Sequence, residues 1–278
     1  MAEITFKINK ILRVPVDSPD LNPDSIVGKS LDEIRNIEIW EGNRKINLGE
    51  IFDVNGEQVD KIEDLSIRVI GDVSKVKRIG QNMSGGNIQI DGNAGMYLGN
   101  KMKDGSIIVS GDAGSWLGAS MLGGRIEVKG NTGDFVGASY RGKSEGMKGG
   151  MILIHGDAGN EIGCWMKGGT IQIMGSSETY PGMHMKNGTI YIDKNCLCRA
   201  GAQMSGGKII INGKIPEILP SFAIESIRGS ARIDKEKIQG PFYLFVGDGN
   251  EDGEGRLYVR KEGNDDLKYC EDYLDMEV

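Results

Sequence analysis

Two histidines, His155 and His184, and four cysteines, Cys164, Cys196, Cys198 and Cys270, are where nucleophilic, acid–base or metal chemistry would first be sought. Their spacing offers little. No cysteines form CxxC or a ferredoxin-like run, and there is no HExxH, no GxSxG and no Gly-rich loop closing on Lys-Ser/Thr. Cys196-Leu-Cys198 is the one pair close enough in sequence to share a metal. In a reducing compartment it reads instead as two small residues on a strand or turn. The 40 acidic residues are scattered. This pattern predicts no catalytic, cofactor-binding or metal-binding residue in the chain.

The elements that would have to position any such chemistry are set by a repeat. Met83, Met102 and Met121 stand nineteen residues apart, and Met147, Met166, Met185 and Met204 resume the same interval after one longer step. Each segment opens on glycine and continues into a short apolar alternation. Its first inward residue is isoleucine (Ile88, Ile107, Ile126, Ile152, Ile171, Ile190, Ile209). Its second is Ile90, Val109, Val128, Ile154, Ile173, Ile192 or Ile211. A period of two is the signature of a strand. Further glycines recur at fixed phases (Gly92, Gly111, Gly130; Gly99, Gly118, Gly137), as corners require, and Lys194 replaces one of them. Nineteen residues are too few for a propeller blade, and neither a leucine-rich pattern nor a 3.6-residue period is present.

The expectation is an all-β chain wound as a parallel β-helix, a solenoid of about seven to eight 19-residue coils over residues 65–213, in which identical phases stack into ladders. Methionine, being flexible, fills irregular space at one inward corner. Residues 1–64 and 214–278 do not repeat and read as caps over the open ends. In the first, Ser30-x-x-Glu33 marks a helix start as a capping box. In the second, "GPFYLFVGDGNEDGEGRLYVR" reads as a hairpin with an acidic turn, and "KEGNDDLKYCEDYLDMEV" as an acidic docking or solvated tail. The long step falls between Gly137 and Met147, where seven extra residues lie within "ASYRGKSEG" (138–146). The phase resumes afterwards, so the extra residues should loop out of one coil. Tyr140, Arg141, Lys143 and Glu145 in that loop are candidate partner contacts, because tyrosine and arginine recur among interface hot spots.

Composition narrows the classes further. Glycine makes up 43 of 278 residues, about twice the ordinary share of ~7%. A formal net charge of −7 without a basic, aromatic-interleaved stripe argues against nucleic acid. No apolar run approaches the ~18 residues of a membrane span, and the N-terminus carries no apolar signal region. A soluble cytoplasmic protein is expected. Parallel β-helices also include polysaccharide-cleaving enzymes, but no ladder position here is consistently acidic.

The rhythm Gly92-Asn-Ala-Gly95-Met-Tyr-Leu-Gly99 and Gly111-Asp-Ala-Gly114-Ser-Trp-Leu-Gly118 resembles the GXGXG domain at the C-terminal end of the glutamate synthase large subunit. A closer likeness extends over essentially the whole chain. The cap ending in "LSIRVIGDVSKVKRIGQNMSGG", the stretch "ASYRGKSEGMKGGMILIHGDAG" and the tail with "GPFYLFVGD" resemble the C subunit of formylmethanofuran dehydrogenase. This resemblance implies a right-handed β-helix serving as a non-catalytic structural subunit of an archaeal complex. The complex would reduce CO2 and join it to methanofuran as a formyl group, the first step of methanogenesis from CO2. It implies that a tungsten- or molybdenum-pterin, iron–sulfur clusters and zinc sit in catalytic and iron–sulfur partner subunits, none in this chain. A related complex of methylotrophs runs a formyltransferase/hydrolase reaction with a similar subunit. Two other readings remain at this point: a glutamate-synthase-like domain acting with amidotransferase and synthase subunits, and a free-standing carbohydrate-active β-helix.

Overall fold

The computed structural model describes residues 2–274. Among these residues the chain is mostly β, with two short α-helices, Pro23–Ile26 and Leu31–Arg35. The second begins as the sequence reading expects. Ser30 caps it, its hydroxyl accepting from the Glu33 amide while the Glu33 carboxylate accepts from the Ser30 amide.

A 13-stranded mixed sheet organises the molecule. Its centre runs Leu65–Ile70, Asn87–Asp91, Ser106–Val109, Arg125–Val128, Met151–Ile154, Lys167–Ile173, Asn187–Ile192 and Lys208–Ile211, each strand parallel to the next. The register follows the repeat: Ile88 pairs with Ile107, Ile107 with Ile126, and Ile126 with Ile152 across the inserted step. Between strands, neighbouring repeats stay hydrogen-bonded. The amide of Tyr97 donates to the Ser115 carbonyl and that of Lys101 to Ala119. Backbone groups outside regular strands are therefore also paired from one repeat to the next.

Both ends extend the sheet. Ala2–Ile8 lies parallel to Leu65–Ile70, placing Ile4 beside Ile67 and Phe6 beside Val69, and Phe52–Gly56 closes that edge antiparallel. At the other end Gly255–Arg260 adds a parallel strand, with Leu257 beside Ile209 and Val259 beside Ile211. The apolar alternation of the repeats thus continues through strands drawn from both non-repeating segments. The expected hairpin is present as Glu236–Gly247 against Gly255–Arg260. It is preceded by an unforeseen strand, Ala223–Ile233, paired antiparallel with Glu236–Gly247. Ala231, Ile233 and Phe242 of this pair cover the outward residues Tyr191 and Ile210. Without this cover both would face water, as Ile108 at the same phase of an earlier repeat does, 39% exposed.

The seven ladder methionines, Met83 through Met204, are fully buried, as are the paired inward aliphatics from Ile88 to Ile211. Each such side chain contributes roughly 1.5–3 kcal/mol. Gly99 shows why one corner position is glycine. Its φ is +63°, and a Cβ there would lie 2.5 Å from the Cδ1 of Ile126. The isoleucine δ-methyl fills the space that the missing side chain leaves.

The tail is docked rather than free. Leu267 and Cys270 are buried, and the Asn264 side chain accepts from the Ile215 amide and donates to the Gly213 and Arg260 carbonyls. The last four residues of the acidic stretch lie outside the described residues.

Candidate docking surface

The insertion is closed by the same hydrogen bond that closes an uninterrupted corner. In the preceding repeat the Met121 amide donates to the Gly118 carbonyl at 3.1 Å. Here the Met147 amide donates to the Gly137 carbonyl at 2.8 Å, although ten residues rather than three separate them. The phase is kept because the extra residues leave and return through one backbone bond.

The loop has its own internal frame. Ser139 is buried, its hydroxyl donating to the Lys143 carbonyl at 2.6 Å and accepting from the Glu145 amide at 3.1 Å. The Lys143 amide donates to the Tyr140 carbonyl, and Gly142 takes φ +79° at the turn. Hydrogen bonds also tie the loop to neighbouring repeats: the Ser120 hydroxyl donates to the Glu145 carbonyl at 2.7 Å and the Ser120 amide to that of Ala138, while the Ser139 and Gly146 amides donate to the carbonyls of Cys164 and Trp165.

The loop does not stand away from the body. Tyr97, Trp116 and Phe135 occupy one phase, nineteen residues apart, all with left-handed backbone (φ +63°, +60° and +64°). Bulky residues rarely adopt this conformation. Here their rings stack, Tyr97 on Trp116 with centroids 5.3 Å apart and Trp116 on Phe135 at 4.3 Å. Such pairs contribute about 0.5–1.5 kcal/mol each beyond burial. Tyr140 extends the column by stacking on Tyr97 at 5.7 Å, and the Arg141 guanidinium lies 5.6 Å over the Phe135 ring. Burial, then the neighbouring Tyr97, raises the Tyr140 phenol above its ordinary pKa. The sequence carried this signal, three aromatics at one repeat phase.

The four candidate contacts therefore divide. Tyr140 is half-buried and bound to the body, while Arg141, Lys143 and Glu145 are exposed. Glu145 pairs with Lys148 at 3.1 Å and approaches Lys167 at 3.8 Å, which holds its carboxyl below the usual range. The loop presents a preset polar surface on an aromatic footing.

The potential chemical residues are dispersed. His184 stacks on Trp165 at 4.0 Å. His155 Nε2 lies 2.9 Å from Glu127 Oε1, and Lys129 and Arg125 share that carboxylate. These contacts pull the Glu127 pKa down to about 2, with the Lys129 bond the largest cause. Burial pushes the Cys164 and Cys196 thiols up to about 12, which suppresses thiolate chemistry. Cys196 and Cys198 lie on a short strand, Cys196–Cys198, parallel to Ser177–Thr179. Among the described residues no three His, Cys, Asp or Glu are grouped to hold a metal, and no helix is long and apolar enough to cross a membrane.

No family model matches the chain. Individual relatives do. The chain is 50% identical over 274 residues to the C subunit of a tungsten-containing formylmethanofuran dehydrogenase of Methanococcus maripaludis, covering 96% of this chain and 100% of that protein. The corresponding tungsten enzyme subunit of Methanothermobacter thermautotrophicus is 46% identical over 98 residues, a stretch spanning 36% of that relative. The C subunit of a molybdenum-containing enzyme of Methanosarcina barkeri is 39% identical over 98 residues, 35% of this chain and 33% of that one. Among solved structures, the fold is similar to a chain of the formyltransferase/hydrolase complex of Methylorubrum extorquens, determined with methylofuran. The TM-score is 0.79 and the identity 24%, over 93% of this chain and 100% of that one. With half of its residues shared along the full length of a relative, the chain belongs to the family of formylmethanofuran dehydrogenase C subunits.

Proposed function

We propose that this chain is the C subunit of a cytoplasmic formylmethanofuran dehydrogenase complex and serves there as a structural, non-catalytic subunit. The observation that carries this reading is the 50% identity over 96% of the chain to a protein of that name, matched over its whole length. In this reading the complex reduces CO2 and fixes it as N-formylmethanofuran. The pterin-bound metal, iron–sulfur clusters and zinc belong to the catalytic and iron–sulfur partners. The relatives include subunits of both tungsten- and molybdenum-containing enzymes, so the metal of those partners is one of these two. The dispersion of His155, His184 and the cysteines supports a chain without reacting atoms of its own.

In this reading residues 65–213 form a solenoid body, supported by the parallel pairing of residues one repeat apart, with 1–64 and 214–278 as its caps and the right-handed winding that the family resemblance implies. A body of this kind offers extended surfaces to partners. The insertion 138–146, with Arg141, Lys143 and Glu145 outward and Tyr140 as its anchor, is the docking element. The test is to express an affinity-tagged chain in a methanogen and identify what it recovers. Recovery of metal- and iron–sulfur-carrying dehydrogenase subunits, with CO2-dependent formylmethanofuran formation in the eluate, is the expected result. Recovery of amidotransferase and flavin-containing synthase subunits instead would overturn it.

A further inference from the structure

We propose that the hollow beside the insertion is a docking site for a carboxylate-rich segment of a partner subunit. This rests on the reading of the chain as part of a multisubunit complex, and adds the chemistry of the surface that meets it.

The residue after the ladder methionine is lysine in four repeats: Lys103, Lys148, Lys167 and Lys186. The buried methionine fixes the corner, so the next side chain is set on the outside of it. In two of these repeats the lysines meet others. A hollow of 270 Å3 lies between the loop and the corners at Met102 and Met121, lined by Lys101, Lys103, Lys143, Lys148, Leu122 and Tyr140. Glu145 is the one carboxylate lining it, already engaged by Lys148 and Lys167. Asp104 accepts from the Gly105 amide and does not line it. Among the described residues Lys101, Lys103 and Lys143 form no ion pair, and all three are exposed.

Four ammonium groups around one concavity, against one carboxylate, stand in a chain of net charge −7. Their mutual repulsion is relieved by incoming carboxylates, and a concave site focuses that potential. Leu122, 46% exposed at the same hollow, and the half-buried Tyr140 add an apolar contact. The fitting occupant is an acidic segment carrying an apolar residue, on another protein of the complex. A nucleic-acid backbone would meet the repulsion of the whole chain, whereas a short acidic segment meets only the local positive field.

The test is amine labelling and zero-length carboxyl–amine cross-linking of the assembled complex against the free chain, each read by mass spectrometry. Lys101, Lys103 and Lys148 should label about tenfold more slowly in the complex and cross-link to Asp or Glu of another subunit. A parallel sample carries the insertion cut back to the two residues of an uninterrupted corner. If that chain still assembles with the three lysines protected and cross-linked, the acidic contact stands and the loop is not the docking element. If shortening abolishes assembly while the three lysines of the intact complex label as fast as in the free chain, the loop docks and the acidic contact is overturned. Protection without cross-links to Asp or Glu, as a small anion or a neutral surface would give, also overturns it.

Discussion

The ring of Tyr140 stacks on that of Tyr97, forty-three residues earlier, with planes 20° apart. This contact turns an insertion into an element with a defined position. Tyr140→Ala should release it. Amide exchange across 139–146 is expected to rise at least tenfold, while exchange in the strand Ser106–Val109 stays unchanged. Equal protection in both proteins would mean that the loop's hydrogen bonds order it without the ring contact.

The methionine ladder makes a stability prediction. Met121→Ala removes a fully buried side chain from a corner packed by its neighbours. A loss of about 2–5 kcal/mol is expected in chemical denaturation. Lys235→Ala, at an exposed position, serves as the control and should shift stability by less than about 0.5 kcal/mol.

Gly99 and Gly142 separate two reasons for glycine. Both have positive φ, but a Cβ at Gly142 meets nothing within 4 Å, whereas one at Gly99 meets Ile126 Cδ1 at 2.5 Å. Gly99→Ala should therefore cost about 1–3 kcal/mol more than Gly142→Ala. Ile126→Val, which deletes the opposing methyl, should recover about 1 kcal/mol of the difference in a double-mutant cycle.

Glu127 gives a pH dependence. Its carboxyl is drawn from an ordinary 4.5 to about 2 by Lys129, His155 and Arg125. A carboxyl lowered in the folded state contributes fully above its ordinary value and loses that contribution as pH falls toward the folded value. Glu127→Gln should thus be less stable than the parent near neutrality, by at most about 1 kcal/mol because the partners are solvated. The gap should close between pH 4.5 and about 2, in denaturation curves taken across that window. A gap unchanged with pH would assign the effect to packing.

How much was legible follows from which interactions are local or periodic. The inward pairs such as Ile107 and Val109, the methionine corners, the Ser30 cap and the Glu236–Gly247 turn into Gly255–Arg260 were readable because each leaves a period or a motif. The strand Ala223–Ile233 was not. It is mostly exposed along its length, so no alternation marks it, and its register with Glu236–Gly247 shifts twice. The course of the loop was not readable either. A contact between Tyr140 and Tyr97 crosses repeats against the nineteen-residue phase, and only the column of Tyr97, Trp116 and Phe135 hinted that an aromatic partner waited there.

The central claim is that this chain is a structural subunit whose insertion docks its partners. It is tested most directly by cutting residues 138–146 back to two, the spacing between Gly118 and Met121, and measuring two things on the tagged chain. Denaturation of the free protein should show a loss of no more than about 2 kcal/mol, because the Gly137–Met147 bond still closes the corner. Recovery of dehydrogenase partner subunits should fall at least tenfold. Full recovery of those partners by the shortened, folded chain would contradict the account.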